Sequence, residues 1–305
     1  TGNLGDKSYN DSCNMGAQKA VEDFGIELKS LEGTTAEEWK ANLLQACDDG
    51  YDLIIGASSN IADYITENAS SYPDTKFAVI DTTVDLPNVE SISFAQNEGS
   101  FLAGAAAAMF TTHDEIEGVN SDKIIGWVGG MDIPVLHDFF VGYEQGAAYA
   151  DSSVKVETAY ANTFEDEEAG KTCAKSLEAK NADIVFQVAG RAGNGVFQAA
   201  KEDGFYAIGV DQDQKLTAKQ YDDVILCSVV KEVGKSLYDV VKAYVKNDTW
   251  EGGRIWKADM ATGYITLAYG DENSAQLISE DLKEELQTIT QKITAGEIEV
   301  ETALG

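Results

Sequence analysis

The sequence predicts an α/β protein built from two doubly wound parallel-sheet lobes joined by a hinge. Three observations carry that prediction. Short apolar runs alternate with segments of helical periodicity, as βα units do. Those runs are continuous rather than alternating, as strands covered by helices on both faces require. The pattern breaks at a charged stretch, His113 to Lys123, and then starts again. A chain of 305 residues is also long for a single hydrophobic core, so two lobes fit its length.

The first set of elements opens with a helix from about Asn10 to Phe24. It places Ala17, Ala20, Val21 and Phe24 on one face and stops at Gly25. Thr35 and Glu38 form a capping box ahead of Trp39, Leu43, Leu44 and Cys47, and Gly50 ends that helix. Leu53 to Ile55 reads as a buried strand, Ile61 to Ala69 as a helix, and Phe77 to Ile80 as a strand ending at Asp81. Phe101 to Phe110 is rich in small residues and reads as a packed helix rather than a membrane span.

The second set reads as strand Ile124 to Val128, helix Phe139 to Tyr149, strand Val154 to Tyr160 and helix Glu167 to Ala179. Strand Ile184 to Val188, helix Gly195 to Asp203, strand Tyr206 to Val210 and strand Val224 to Val230 follow. Helix Gly234 to Val245, a strand near Tyr264 to Tyr269 and the amphipathic helix Leu282 to Ile293 complete the order. Chain crossovers are expected near Phe94 to Gln96, near Leu226 to Val229 and around Tyr264. They give lobes of residues 1–95 plus 229–263 and residues 96–228 plus 264–305.

Composition removes several functions. There are 53 acidic residues against 22 basic ones, a net charge of 22 − 53 = −31, and the only arginines are Arg191 and Arg254. A phosphate backbone needs a basic stripe, so nucleic acid is excluded as a partner. Docking of the folded body on an anionic membrane is excluded for the same reason. No apolar run reaches the roughly 20 residues that span a bilayer. Thr1 opens directly into a polar loop with no signal peptide, which a secreted precursor would have lost, so the compartment stays open. Cys13, Cys47, Cys173 and Cys227 show no zinc spacing and lie in apolar periodic stretches, as thiols rather than disulfides.

Chemistry-bearing residues are judged against plainer roles. In open α/β sheets ligands sit beyond the carboxyl ends of strands. Those ends carry Ser58-Ser59, Asp81, Gly129 to Asp132, Ala189-Gly190 and Asp211. The loop Gly5 to Asn10 either caps the first helix through Ser8, Asn10 or Asp11, or offers Tyr9 to stack on a ring. Gly190 to Gly195 is G-x-x-G-x-G, the reverse of a dinucleotide fingerprint, and reads as a tight strand-to-helix turn. Asp211 and Asp213, with Asp132, read as helix caps or as acceptors for sugar hydroxyls; a metal is not expected. His113 and His137 have no nucleophile partner, so no catalytic site is read.

Taken together, several segments resemble the basic membrane protein family, the lipoprotein receptors of ABC-type nucleoside uptake. They are Gly5 to Asn10 with Gly16, Phe94 to Gly104 (FAQNEGSFLAG), and Gly126 to Pro134 (GWVGGMDIP) with Phe139 and Gly142 to Gly146. Ala189 to Val196 (AGRAGNGV), Gly209 to Gln214 (GVDQDQ), Ser228 to Lys231 and Ala295 to Ile298 follow in the family's order.

The resemblance implies a two-lobed type I periplasmic-binding fold with a nucleoside, purine by preference, in the cleft between the lobes. By position, Tyr9 and Phe164 look like the aromatic pair that sandwiches the base, and Asn10 and Asp6 like readers of its edge. Asp81, Asp211 and Lys231 look like the ribose-facing set, with Gly190 giving backbone access and Ser58 and Met131 completing the lining. Tyr9 stands where the family usually has Phe, and Arg191 where a small residue is expected; both bear on which nucleoside is preferred.

The same resemblance implies no cofactor, no metal and no enzymatic activity. It implies a monomer that partners a membrane permease and is held outside the cytoplasm by a lipid anchor. It further implies an apolar strand and a lipobox cysteine ahead of Asp6-Lys7-Ser8, so the first lobe's sheet is expected to lack its leading strand. A sugar receptor, a nucleoside hydrolase and a cytosolic regulator on the same fold are the competing readings.

Overall fold

The computed structural model describes residues 2–304. Two compact units divide the chain, with crossovers after Phe94, Lys231 and Ala258.

In the first unit, β1 (Leu53–Gly56), β2 (Lys76–Ile80), β3 (Val89–Phe94) and β9 (Ile255–Ala258) form a parallel sheet in the order β1-β2-β3-β9. Helices α1 (Tyr9–Phe24), α2 (Ala36–Asp48), α3 (Ala62–Asn68) and α9 (Val233–Lys242) belong to this unit. The Thr35–Glu38 box forms: Thr35 Oγ1 accepts from the Glu38 N–H at 3.3 Å, and Glu38 Oε2 accepts from the Thr35 N–H at 3.1 Å. Gly25 ends α1 at φ 67°. Leu43, Ile65, Phe77, Val79 and Val89 form the core of this sheet and its helices. Helices α1 and α9 approach so closely that a Cβ on Gly16 would lie 1.9 Å from the Gly234 carbonyl oxygen.

Strands β3 and β9 were not expected from the sequence. Val89-Glu90-Ser91-Ile92-Ser93-Phe94 mixes polar with apolar residues, yet Glu90 and Ser91 are buried. The Ser91 hydroxyl accepts the Val84 N–H at 3.0 Å, and the Arg254 guanidinium lies 3.5 Å from the Glu90 carboxylate. Paired polar groups are tolerated in a buried strand, and that pairing is invisible in periodicity. Among the described residues no strand precedes α1, and β1 is an edge of its sheet.

The second unit holds α4 (Gln96–Phe110), β4 (Ile124–Gly129), α5 (Pro134–Ala150), β5 (Lys155–Tyr160), α6 (Glu167–Glu178) and β6 (Ala182–Val188). It continues with α7 (Ala192–Asp203), β7 (Tyr206–Asp211), α8 (Gln214–Thr217), β8 (Ile225–Lys231), β10 (Ile265–Ala268) and α10 (Glu280–Thr294). Its six-stranded sheet runs β10-β8-β7-β6-β4-β5, parallel except for the antiparallel edge strand β10. β6 is buried along its whole length, the polar Asp183 and Gln187 included, as a strand covered on both faces is. The small-residue helix α4 is buried on nearly every side and packs against α5. It is not a membrane span, and no helix among the described residues is long and apolar enough to cross a bilayer.

Candidate functional site

Two carboxylates hold the loop that leads into α1. Asp6 is 2% exposed; its Oδ1 accepts the N–H groups of Ser8 (2.9 Å) and Asp11 (3.1 Å). Its Oδ2 accepts both the backbone N–H of Asn10 (2.8 Å) and the Asn10 Nδ2 (2.9 Å). Asp11 accepts the N–H groups of Gly5 (2.7 Å) and Lys7 (2.8 Å). The first N–H groups of a helix lack internal partners, and the helix dipole favours an anion there. Ser8 makes no side-chain cap, so the expectation that Ser8, Asn10 or Asp11 closes this end gives way to Asp6, which lies outside the helix. One oxygen of Asp6 therefore fixes the Asn10 amide by its nitrogen. That orientation leaves the Asn10 carbonyl oxygen and its second N–H for another partner. Tyr9 is the first residue of α1, directly beside this pair.

Ser58 and Asp81 follow the carboxyl ends of the neighbouring strands β1 and β2. The Ser58 hydroxyl accepts the Asn60 N–H at 3.2 Å and starts a single 3₁₀ turn. Asp81 donates its N–H to the Ile92 carbonyl at 2.9 Å and holds φ at 65°, a left-handed conformation that costs a residue with a Cβ roughly 1–2 kcal/mol.

In the second unit, β4 has β5 on one side and β6 on the other, so the winding reverses there. Such a switch point opens a crevice at the carboxyl ends of the strands. The loops leaving these strands are stitched together. Gly130 donates its N–H to Val188 O (2.9 Å), Thr163 N–H reaches Gly130 O (2.8 Å), and Ala192 N–H reaches Phe164 O (3.0 Å). The half-buried Phe164 ring lies against the backbone of Gly130, where an added Cβ would sit 2.3 Å from Cδ1 of that ring. Gly190, at φ 56°, runs beside the same residue. Phe164 and Gly190 thus lie on loops stitched to the one that carries Gly130, which Met131 follows directly.

Further along the sheet, Asp211 ends β7 at φ 66° and is 7% exposed. It repeats, in the second unit, the left-handed strand-end aspartate of Asp81. Lys231 ends β8 and is 1% exposed, with Nζ 5.5 Å from the centroid of the Phe139 ring. Asp213, two residues past Asp211, caps α8 by accepting the Lys215 N–H at 3.2 Å and also accepts the Gly270 N–H at 2.9 Å. Among the described residues no cluster of three or more His, Cys, Asp or Glu could hold a metal.

Two features escaped the sequence reading. Buried Gln187 and Gln214 brace the strand ends from beneath. Gln187 Nε2 donates to Gln214 Oε1 (2.7 Å), which also accepts the Val210 N–H (2.8 Å), while Ser228 Oγ accepts the Gln214 N–H (3.0 Å). A glutamine inside the apolar run Ile184 to Val188 is the signal that marks this brace. His137, read as a bystander, contacts Asp132 through Nε2 at 2.5 Å, tying the start of α5 to the loop that carries Met131.

Comparison with known proteins identifies the family and the fold. Residues 1–303 match the family model described as ABC transporter substrate-binding protein PnrA-like. The chain is 32% identical over 303 residues to "Basic membrane protein A" of Borreliella burgdorferi, covering 97% of this chain and 84% of that protein. It is 31% identical over 314 residues to "ABC transporter nucleoside-binding protein BmpA" of Lactococcus lactis, covering 95% of this chain and 85% of the relative. A solved ABC transporter solute-binding protein from Aeropyrum pernix K1 superposes with a TM-score of 0.88 at 26% identity, over 100% of this chain and 92% of that one. A sugar transporter from Clostridium phytofermentans shares the fold, with a TM-score of 0.63 at 15% identity over 88% of this chain and 96% of that one. The chain therefore belongs to the Bmp family, the PnrA-like substrate-binding proteins of ABC transporters.

Proposed function

We propose that this protein captures a nucleoside, with purines preferred, and delivers it to an ABC permease in the membrane. The reading rests on one observation above others: the aromatic Phe164, seated on the switch-point backbone beside Gly190, shares a sheet end with the buried, left-handed Asp211 and with Lys231. An aromatic ring offers a flat partner for a base, worth roughly 1–3 kcal/mol. A strand-end carboxylate suits vicinal hydroxyls, each charged hydrogen bond adding roughly 1.5–3 kcal/mol.

In this proposal the first unit (residues 2–94 plus 232–258) and the second (residues 95–231 plus 259–304) close on the ligand. Tyr9 stacks on the face of the base opposite Phe164, and Asn10, oriented by Asp6, reads its edge. Asp81, Asp211 and Lys231 hold the ribose, while Ser58, Met131 and Gly190 complete the lining. A net charge of −31 disfavours a phosphorylated ligand, so a neutral nucleoside fits better than a nucleotide. The name of the Lactococcus lactis relative, a nucleoside-binding protein, supports the same reading. The protein acts as a monomeric receptor rather than an enzyme, outside the cytoplasm and attached to the membrane by a lipid.

Isothermal calorimetry with inosine, guanosine, adenosine, cytidine and ribose tests the reading. Saturable heat from a purine nucleoside, lost in Phe164→Ala, is the expected result. Heat from ribose alone, unchanged in Phe164→Ala, would make it a sugar receptor. Free base released from a nucleoside would make it a hydrolase.

A further inference from the structure

Two glutamines lie fully buried in the second unit, where apolar side chains are the rule. They are Gln187 on β6 and Gln214 at the start of α8. A buried amide costs stability unless its polar atoms are bonded, so both call for a structural reason. The strand pairing supplies one. β4 and β6 stay paired as far as Gly129 and Val188, and β7 and β8 as far as Asp211 and Val230. β6 and β7 stop pairing earlier, at Phe186 and Ile208, although β6 runs on to Val188 and β7 to Asp211.

The carboxyl end of this sheet is thus divided into two paired blocks. One, β5-β4-β6, leads into the loops of Met131, Phe164 and Gly190; the other, β7-β8, ends in Asp211 and Lys231. The two amides bridge the gap. Gln187 Nε2 donates to Gln214 Oε1 at 2.7 Å. The same oxygen accepts the N–H of Val210, next to Asp211, at 2.8 Å, so a side chain serves here in place of a backbone carbonyl. Gln187 Oε1 accepts the Ala189 N–H, beside Gly190, at 3.2 Å. The Gln214 N–H is held at 3.0 Å by Ser228 Oγ, on the strand that ends in Lys231. Two glycines make room for the pair. A Cβ on Gly193 would lie 1.8 Å from Gln187 Oε1, and one on Gly209 2.7 Å from Gln214 Oε1.

We infer that Gln187 and Gln214 are positioning residues, whose amide–amide bond sets the width of the gap between the two blocks. The inference rests on the ligand reading above, in which Phe164 takes the base and Asp211 and Lys231 take the ribose. A ligand held by both blocks reads their spacing, and misplaced anchors lose affinity even when each anchor is intact. An apolar pair would fill the same volume without fixing that distance, because hydrogen bonds are directional and hydrophobic contact is not. A bonded pair of buried amides also favours one arrangement over its near alternatives.

Gln187→Met keeps the length of the side chain and removes its donor and acceptor. Calorimetry with inosine is expected to show affinity lower by about 10-fold, the worth of one such bond. In the free protein, hydrogen exchange at the amides of Ala189 and Val210 is expected to quicken by about 10-fold, with Ile184 and Ala207 unchanged. The double variant Gln187→Met with Gln214→Met should bind no worse than Gln214→Met alone, since one bond is lost in both. Leu177→Ala, a core change at the far end of the sheet, is the control: it should lower the thermal midpoint more and leave affinity within about 2-fold. Affinity of Gln187→Met within about 2-fold of wild type, or unchanged exchange at both amides, overturns the inference. So does an equal loss of affinity in Leu177→Ala, which would make the effect one of general stability. A wild type that binds no nucleoside sinks the nucleoside reading instead. Quicker exchange confined to Ala189 and Val210 then still upholds the gap-setting bond, and its absence overturns it. If Gln187→Met does not fold, Ser228→Ala, which frees the Gln214 N–H, carries the same expectations.

Discussion

The Phe164 ring rests directly on the backbone of Gly130, at a point where even one added carbon would lie 2.3 Å from the ring. Two loops that leave β4 and β5 thereby fix one aromatic plane at the switch point of the second sheet. Gly130→Ala should push that plane aside and weaken purine nucleoside binding at least 10-fold, while the thermal midpoint falls only a few degrees. Phe164→Ala should weaken binding by about 10- to 100-fold, the stacking contribution of roughly 1–3 kcal/mol. Titration calorimetry reads both; a Gly130→Ala protein that binds normally would remove the seat from the argument.

Asp81 and Asp211 occupy left-handed backbone at φ 65° and 66°. Glycine adopts this conformation without steric cost. Asp211→Gly should therefore keep or slightly raise the thermal midpoint. Without its carboxylate, nucleoside affinity should fall by roughly 10- to 150-fold, the equivalent of about 1.5–3 kcal/mol. Parallel melting and binding curves separate these effects. Loss of stability together with affinity would mean that the carboxylate serves the fold instead.

Asp183 is buried, and desolvation pushes its carboxyl up to about 6 even though Asn120 N–H and Thr111 Oγ1 both donate to it. Its ordinary value is 3.8, so the folded state holds the proton more tightly than the unfolded chain. The stability this gives is fully present below that ordinary value and is lost as pH rises through about 6. Asp183→Asn keeps a carbonyl acceptor without the charge. Between pH 4 and pH 7, wild type should lose on the order of 2–3 kcal/mol relative to the variant. Urea denaturation at stepped pH measures the difference, and a flat difference curve would refute it.

Gly16→Ala should be costly although alanine is the better helix former. Its Cβ would meet the Gly234 carbonyl oxygen at 1.9 Å, so α1 and α9 would have to separate. Overpacking of this kind costs roughly 1–3 kcal/mol. Chemical denaturation should show the loss, whereas an exposed-face change such as Lys19→Ala should move stability far less.

The sequence by itself determined the βα rhythm, the helix stops at Gly25 and Gly50, the Thr35–Glu38 capping box and the buried run of β6. These follow from local rules: where glycine relieves a left-handed turn, which side chains reach nearby N–H groups, and which period buries a face. It also supplied the motifs that mark the family, because those are read residue by residue. Only tertiary structure decided that Glu90 and Ser91 lie in a buried strand, since their partners Arg254 and Val84 are brought there by folding. The brace of Gln187 and Gln214 beneath the strand ends, and the seat of Phe164 on Gly130, were likewise settled in space. Each joins residues from separate βα units, and sequence spacing carries no information about which strand ends a parallel sheet sets side by side.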